Sequence, residues 1–130
     1  MGDDLQAVTD VPERETVIVG DVLGALNRLD RVYAWRNNTG TAWISGRPVK
    51  FSEKGAADVL ACVDGCFVAI ECKTRKGRQS AAQKCWQQKI EAAGGLYVLA
   101  RSADDVLAAL RSELGIALAP RPSRVRVIHR

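Results

Sequence analysis

The segment 58–73, DVLACVDGCFVAIECK, constrains the fold of this chain more than any other stretch. It consists of two short apolar runs joined by Asp64-Gly65, and Asp-Gly between such runs is typical of a two-residue hairpin, because a type I′ turn needs positive φ at both central residues. The turn sets the pairing outward along both strands until Asp58 stands opposite Glu71. The sequence therefore predicts a hairpin with two carboxylates at its open end.

The predicted pairing brings the side chains of Asp58, Glu71 and Lys73 to one spot. Directly opposed residues share a face, with Cβ atoms about 5 Å apart, and Lys73 lies on the Glu71 face because side chains alternate along a strand. Two carboxylates this close raise each other's pKa unless a cation lies between them. Oxygen ligands suit Mg²⁺ or Mn²⁺, and a lysine there can orient or deprotonate an attacking water. The hairpin end is a candidate site for metal-dependent hydrolysis at phosphorus.

An Asp, a hairpin and Glu-Xaa-Lys in this order resemble the signature of the PD-(D/E)xK nuclease superfamily. Here Gly55-Ala56-Ala57-Asp58 precedes the hairpin and Glu71-Cys72-Lys73 closes it, with Ala57 in place of the superfamily's Pro as one departure. The chain is also similar to the virus-type replication-repair nuclease domain, VRR-NUC. That second resemblance runs from about Glu13 to Asp105 and is carried by Glu15, Trp35-Arg36-Asn37-Asn38-Thr39-Gly40, Ser80-Ala81-Ala82-Gln83-Lys84-Cys85-Trp86 and Gly94-Gly95.

The resemblance implies an α/β fold of the restriction-endonuclease-like type, a mixed β-sheet flanked by α-helices. It implies a Mg²⁺- or Mn²⁺-dependent deoxyribonuclease that hydrolyses phosphodiester bonds, as a homodimer, in branched DNA such as Holliday junctions. The length predicts one domain over residues 1–130, with an acidic arm at 1–9 and a basic tail at 120–130. We expect a cytoplasmic protein of a bacterial or phage-infected cell, without a membrane partner, since no apolar run is long enough to span a bilayer.

Three overlapping sets of residues are candidates for the site. The catalytic set contains Asp58, Glu71, Lys73, Glu15 and Gln83. The metal set contains Asp58, Glu71, Glu15 and the main-chain carbonyl of Cys72. The DNA-binding set contains Arg36, Asn37, Lys54, Arg75, Lys76 and Arg78. Without the resemblance, the residues alone favour a first-turn acid that suits the helix dipole for Glu15 and an ordinary surface glutamine for Gln83.

The charge distribution favours a polyanionic partner. The chain carries a net charge of +4, and residues 1–15 contain five acidic residues against one arginine, so the remainder is near +8. A basic body suits DNA, although a solvated surface with surplus cations gives the same sum. A non-catalytic DNA-binding module, in which the carboxylates and the lysine form a structural charge cluster, is therefore the alternative to a nuclease.

The four cysteines leave a zinc or redox protein as a third class. Cys62 and Cys66 are separated by three residues and no Cys-x-x-Cys pair occurs, so the spacing does not match common zinc sites. We expect buried free thiols in a reducing compartment.

Hydrophobic periodicity predicts the remaining elements. Helices are expected from an Asp10 cap to about Asp30, from a Ser80 cap to Gly94 and from a Ser102 cap to Leu114, and further strands at 32–35, 41–44, 49–51 and 96–100, the last parallel to the strand that ends at Lys73. Trp35 and Trp43 alternate with cations, which suits stacking on bases, but large aromatic residues favour the core and we expect both there. The arginine-rich tail is either an arm on DNA or an edge strand.

Overall fold

The computed structural model describes residues 14–122, which contain three α-helices and six β-strands. In chain order these are α1 (Glu15–Leu26), β1 (Val32–Arg36), β2 (Thr41–Ile44), β3 (Arg47–Lys50), β4 (Val59–Val63), β5 (Cys66–Cys72), α2 (Ala81–Ala92), β6 (Leu96–Ala100) and α3 (Ala103–Leu114). The predicted acidic arm at 1–9, the Asp10 cap and most of the basic tail lie outside the described residues.

The main sheet has the strand order β1-β4-β5-β6 and is mixed. Strands β1, β4 and β5 pair antiparallel, while β6 runs parallel to β5 and is reached through α2. Strands β2 and β3 form a separate two-stranded sheet, which we call the ribbon. The predicted α/β class with a mixed sheet and helices is confirmed.

The β4–β5 hairpin has the predicted turn and register. Asp64 and Gly65 both have positive φ, at 48° and 84°, as a type I′ turn requires. Pairing runs from Val63 opposite Cys66 to Val59 opposite Ile70. The turn chemistry is local, so the sequence contained all the information that this register needs.

The ribbon turn is tighter than the sequence indicated. Ser45 and Gly46 have φ of 51° and 74°, so a two-residue turn replaces the predicted four-residue loop, and Arg47 and Pro48 already belong to β3. Proline is tolerated there because each ribbon strand has only one hydrogen-bonded neighbour.

Helices α1 and α3 cover one face of the sheet and α2 covers part of the other. The first face buries the predicted α1 stripe against β-branched and small residues of the strands; its members include Ile18, Val22, Leu26, Val59, Ile70, Val98, Val106 and Leu110. The second face has a smaller cluster in which Trp86 of α2 packs on Tyr97 and Ala69. The main core therefore lies behind the sheet, opposite the face of Asp58 and Glu71.

Several predicted boundaries and burials are wrong. Helix α1 begins at Glu15, because Arg14 has an extended backbone, and it ends at Leu26 rather than near Asp30. Helix α2 ends at Ala92 and so stops short of the predicted Gly94, and Ala93 after it is exposed. Helix α3 starts at its Ser102 cap and ends at Gly115, whose φ of 62° is left-handed, as predicted.

The expected burial of the tryptophans and of most thiols is also wrong. Trp35 and Trp43 are 39% and 72% exposed; within residues 14–122, Trp35 lies on an edge strand of the main sheet, and the ribbon that carries Trp43 is not hydrogen-bonded to that sheet. Of the four cysteines only Cys72 is buried; the others are Cys62, Cys66 and Cys85.

Within residues 14–122, no helix combines the length and the apolar character needed to cross a membrane.

Candidate active site

Asp58 and Glu71 meet at the open end of the β4–β5 hairpin. They stand one step beyond the last paired residues, Val59 and Ile70, on the face that α2 partly covers. The main-chain N–H of Cys72 donates to Oδ2 of Asp58 at 3.0 Å. This bond holds the Asp58 carboxylate against the end of β5, as the predicted register requires.

Glu71 is a buried carboxylate with one oxygen unsatisfied. The residue is 2% exposed. Its Oε1 accepts a hydrogen bond from Nε2 of Gln83 at 3.0 Å and lies 3.8 Å from Nζ of Lys73. Its Oε2 is buried and has no hydrogen-bond partner among the described residues. Burial raises the pKa of Glu71 to about 8; the charge of Asp58 adds to this rise, and Lys73 opposes it.

Gln83 connects the beginning of α2 to this carboxylate. Ser80 and Gln83 form a capping box: the Ser80 hydroxyl accepts from the Gln83 N–H, and Oε1 of Gln83 accepts from the Ser80 N–H at 2.8 Å. The side-chain nitrogen of Gln83, Nε2, therefore points to Glu71 and donates to its Oε1. Gln83 is thus neither an ordinary surface residue nor an amide free to hold phosphate; the cap orients it toward the site.

Gly55 brings the loop before Asp58 into close contact with α2. Its φ is +83°, and a Cβ there would lie 2.3 Å from the carbonyl oxygen of Ala82 and 2.9 Å from the nitrogen of Gln83. Only glycine allows this approach and this φ together. The Gly-x-x-Asp spacing therefore has a packing reason, since it sets Asp58 and Gln83 relative to each other.

Gly55→Ala is expected to lower the free energy of unfolding by about 2–5 kcal/mol, since it adds strain at positive φ to a backbone clash. Gly65→Ala is the matched control: its φ is +84°, but nothing lies within 4 Å of its Cβ, so only the strain of about 1–2 kcal/mol applies. Urea unfolding of both variants measures the difference. Equal losses would show that the approach to α2 adds no constraint.

Arg101 organises the basic loop that follows Lys73. Its guanidinium donates to the carbonyls of Thr74, Arg75 and Gly77. The main-chain N–H of Arg101 donates to Oδ2 of Asp105 at 2.9 Å. Arginine, with five donors in a rigid fork, is suited to fastening several carbonyls at once. Arg101 thereby fixes the loop in which Arg75, Lys76 and Arg78 lie exposed.

Glu15 does not take the expected place. The first residue of α1 is exposed rather than core-facing, because the helix starts there instead of one turn earlier. Its charge still contributes to the raised pKa values of Glu71 and Cys72. Its assignment as a metal ligand stays a prediction.

The Cys72 side chain is not a ligand in this arrangement. Its thiol lies in the main core on the other face of the sheet, and burial raises its pKa to about 12, so it stays protonated. The assignment of its main-chain carbonyl as a metal ligand stays a prediction.

The predicted DNA-binding residues lie around the site. Arg36 ends β1, Lys54 lies in the loop before Gly55, and three cations occupy the loop after Lys73; all five are exposed. None of them forms an ion pair with an acidic residue among residues 14–122. Asn37 differs, because its amide donates to Ser52 and to the carbonyl of Ala57, both at 3.0 Å, which ties the ribbon base to the loop before Asp58.

Sequence reasoning missed Arg101, Gln79 and Tyr97. Gln79 donates to the Tyr97 hydroxyl at 3.1 Å and to Gln87 at 2.8 Å, which fastens the far end of the basic loop to β6 and α2. Burial raises the pKa of Tyr97 to about 12, so its hydroxyl keeps its proton. The only available signal was position: Arg101 directly follows the strand parallel to β5.

The side chains fit a hard divalent cation. Two facing carboxylates with one unsatisfied buried oxygen are the donor set that Mg²⁺ or Mn²⁺ takes together with waters. Within residues 14–122, no group of three or more His, Cys, Asp or Glu is arranged to hold a metal. Asp58 and Glu71 are therefore the two acidic side chains that would hold such a cation, with the carbonyl of Cys72 as a predicted further ligand.

The raised pKa of Glu71 predicts a pH-dependent stability in the metal-free protein. Between about pH 4.5 and about pH 8 only the folded chain keeps the Glu71 proton. The folded state then binds more protons, so its stability falls as pH rises, by up to about 1.4 kcal/mol per pH unit. Denaturant melts in EDTA across this range measure the slope, and Glu71→Gln removes this contribution. An unchanged slope in that variant would contradict the assignment.

No family model, curated protein or solved structure matches this chain.

Proposed function

We propose that this protein is a metal-dependent nuclease that hydrolyses phosphodiester bonds in DNA. The observation that carries the proposal is the buried Glu71 carboxylate, whose Oε2 has no hydrogen-bond partner within residues 14–122 while Asp58 and Lys73 stand beside it. A buried carboxylate without full pairing is costly, and such perturbed groups cluster at functional sites. An apolar or amide residue at this position would give a more stable sheet end.

Each group has a distinct role in this proposal. Asp58, Glu71 and the carbonyl of Cys72 hold Mg²⁺ or Mn²⁺, with Glu15 as a further ligand from α1. The bound metal supplies Lewis-acid activation and a lowered pKa for the attacking water. Lys73 orients that water and offsets negative charge at phosphorus. Gln83 keeps the Glu71 carboxylate in place through its 3.0 Å hydrogen bond.

The surrounding cations bind the substrate backbone. The exposed side chains on either side of the acid pair are Arg36, Lys54, Arg75, Lys76 and Arg78. Phosphate contacts of this kind position DNA without reading its sequence. Asn37 contributes indirectly, since its amide is used to hold the loop that leads to Asp58.

The restriction-endonuclease-like fold and the relationship to VRR-NUC nucleases belong to the same proposal. The mixed sheet with the acid pair at a hairpin end, and the helix with its Ser80–Gln83 cap after it, support them. The preference for branched DNA and the homodimer rest on the sequence resemblance. In such a dimer two sites related by a two-fold axis cut opposed strands.

The test is cleavage of labelled four-way junction, flap and linear duplex DNA with Mg²⁺, Mn²⁺ or EDTA. Asp58→Asn removes the charge and keeps an oxygen for the Cys72 N–H. Asp64→Asn makes the same change at the other end of the hairpin, at a turn where Asn tolerates positive φ. We expect metal-dependent cutting that is lost in the first variant and kept in the second. Symmetric cutting of the junction supports the dimer. Cutting of flaps or ends instead contradicts the preference for junctions and the dimer, and leaves the metal-dependent chemistry supported.

A non-catalytic DNA-binding module is the alternative, and it is favoured by the exposed cations, which form no ion pair within residues 14–122. Such a module cleaves none of these substrates. It also keeps its fold and its DNA affinity in Asp58→Asn with or without metal, whereas the nuclease binds DNA more tightly in the presence of the metal.

A further inference from the structure

An aromatic strip lies exposed on the sheet face that carries Asp58 and Glu71. We define the strip as Tyr33, Trp35 and Phe67, which are 65%, 39% and 41% exposed. Tyr33 stands beside Cys62, and Cys62 beside Phe67, so these residues form one row across three strands. Helix α2 covers the sheet near Tyr97 and leaves this part of the face open.

The strip leads directly to the acid pair. Tyr33, Trp35 and Asn37 are alternate residues of one extended segment, so they follow each other at steps of about 7 Å on the same face. The Asn37 N–H donates to the carbonyl of Asp58 at 2.8 Å. The rings of Tyr33 and Trp35 are stacked, with centroids 5.7 Å apart and planes at 28°. A ligand on these rings therefore continues toward Asp58.

The chain segment that contributes Tyr33 and Trp35 carries only positive charge. Residues 32–52 contain Arg36, Arg47 and Lys50 and no acidic residue. The same segment holds most of the large exposed apolar side chains among residues 14–122: Tyr33, Trp35, Trp43, Ile44, Val49 and Phe51. Exposed aromatic rings on a basic segment are typical of surfaces that bind single-stranded nucleic acid.

We propose that the aromatic strip stacks unpaired bases of single-stranded DNA and directs the adjoining backbone to Asp58 and Glu71. The direction toward the acid pair rests on the proposed nuclease function, whereas the stacking does not. A second copy of the chain fits this surface less well. A two-fold contact would bring two copies of the same basic segment together, and like charges facing each other are costly.

The test is binding without cleavage, in EDTA and with Asp58→Asn as the parent protein. The probes are a dye-labelled thymidine oligomer of about 12 nucleotides and a duplex of the same length. Tyr33→Ala and Trp35→Ala are each expected to weaken oligomer binding by roughly 5- to 100-fold and to leave duplex binding within about twofold. Trp35→Phe keeps most of the affinity, because it keeps a ring.

Val17→Ala is the matched control, since Val17 is an exposed apolar residue on α1, which packs on the other face of the sheet. We expect no change in binding from it. Unchanged oligomer affinity in both strip variants overturns the inference, and so does an equal loss for oligomer and duplex. A parent protein that is dimeric in sedimentation and becomes monomeric in Trp35→Ala overturns it too, because the strip is then an interface between copies.

The inference and the proposed function fail in different ways. If the wild-type protein cleaves no substrate but binds the oligomer through Tyr33 and Trp35, the nuclease proposal and the path toward Asp58 are wrong. The base-stacking role of the strip then still holds. If cleavage needs metal but neither strip variant changes the oligomer affinity, the base-stacking inference is wrong and the nuclease proposal still holds.

Discussion

Glu71→Gln is expected to lower the rate of DNA cleavage by about 10³-fold or more while making the metal-free protein more stable at pH 8. The loss of rate follows because a neutral amide is a poor ligand for a hard cation, and Lewis-acid stabilisation of several kcal/mol corresponds to such a factor. The gain in stability follows because a carboxylate that is 2% exposed, with one unsatisfied oxygen, no longer has to be ionised or to hold a proton.

The measurement combines single-turnover cleavage in Mg²⁺ with denaturant melts in EDTA. Gln at position 71 has nearly the same shape and still offers an oxygen to Nε2 of Gln83, so the fold is expected to persist. Glu113→Gln, an exposed glutamate on α3, is the control and is expected to change neither quantity by more than about 0.5 kcal/mol. Equal cleavage rates of Glu71→Gln and the wild type would contradict the role of Glu71 as a metal ligand. A lower stability of Glu71→Gln in EDTA at pH 8 would contradict the destabilising effect of the buried, unsatisfied carboxylate.

Lys73→Gln is expected to lower the cleavage rate by about 10²- to 10⁴-fold with little effect on DNA binding. Lys73 is only 12% exposed and its Nζ lies 3.8 Å from Oε1 of Glu71, so it faces the acid pair rather than the solvent. In the proposed reaction Lys73 acts on the attacking water and on the charge at phosphorus. A rate loss of about 10²- to 10⁴-fold is typical when a positioned proton-transfer group is removed.

Lys84→Gln makes the same change on the exposed surface of α2 and serves as the control. The informative readout is the separation of rate from affinity. A loss of binding equal to the loss of rate would make Lys73 a phosphate contact instead. Lys73→Arg keeps the charge but not the ability to give up a proton near neutral pH, so recovery of rate in that variant indicates an electrostatic role.

Local chemistry explains which parts of the fold could be predicted. The Asp64-Gly65 turn and the alternation of side chains determine the pairing of β4 with β5, and hence the meeting of Asp58 with Glu71. The Ser80 cap of α2 could be predicted from the sequence for the same reason, since its hydrogen bonds join residues only three positions apart.

The remaining features depend on how distant elements pack, which no local pattern encodes. The bond from Gln83 to Glu71 requires α2 to dock on the sheet through Gly55, and the three bonds of Arg101 require β6 to lie beside β5. The exposure of Trp35 goes with its place on an edge strand of the main sheet, which hydrophobicity alone cannot reveal. The position of Glu15 depended on a helix start that was placed too early.

The acid pair, Lys73, Gln83 and Arg101 come from one uninterrupted part of the chain, which begins at Gly55 and ends at Arg101. This segment includes β4, β5, α2 and β6, and every strand in it pairs with the next one along the chain. Helices α1 and α3 support it from behind. The acid pair is thus built from consecutive elements of the chain, and Asn37, at the base of the ribbon, is a residue outside them that holds the loop before Asp58.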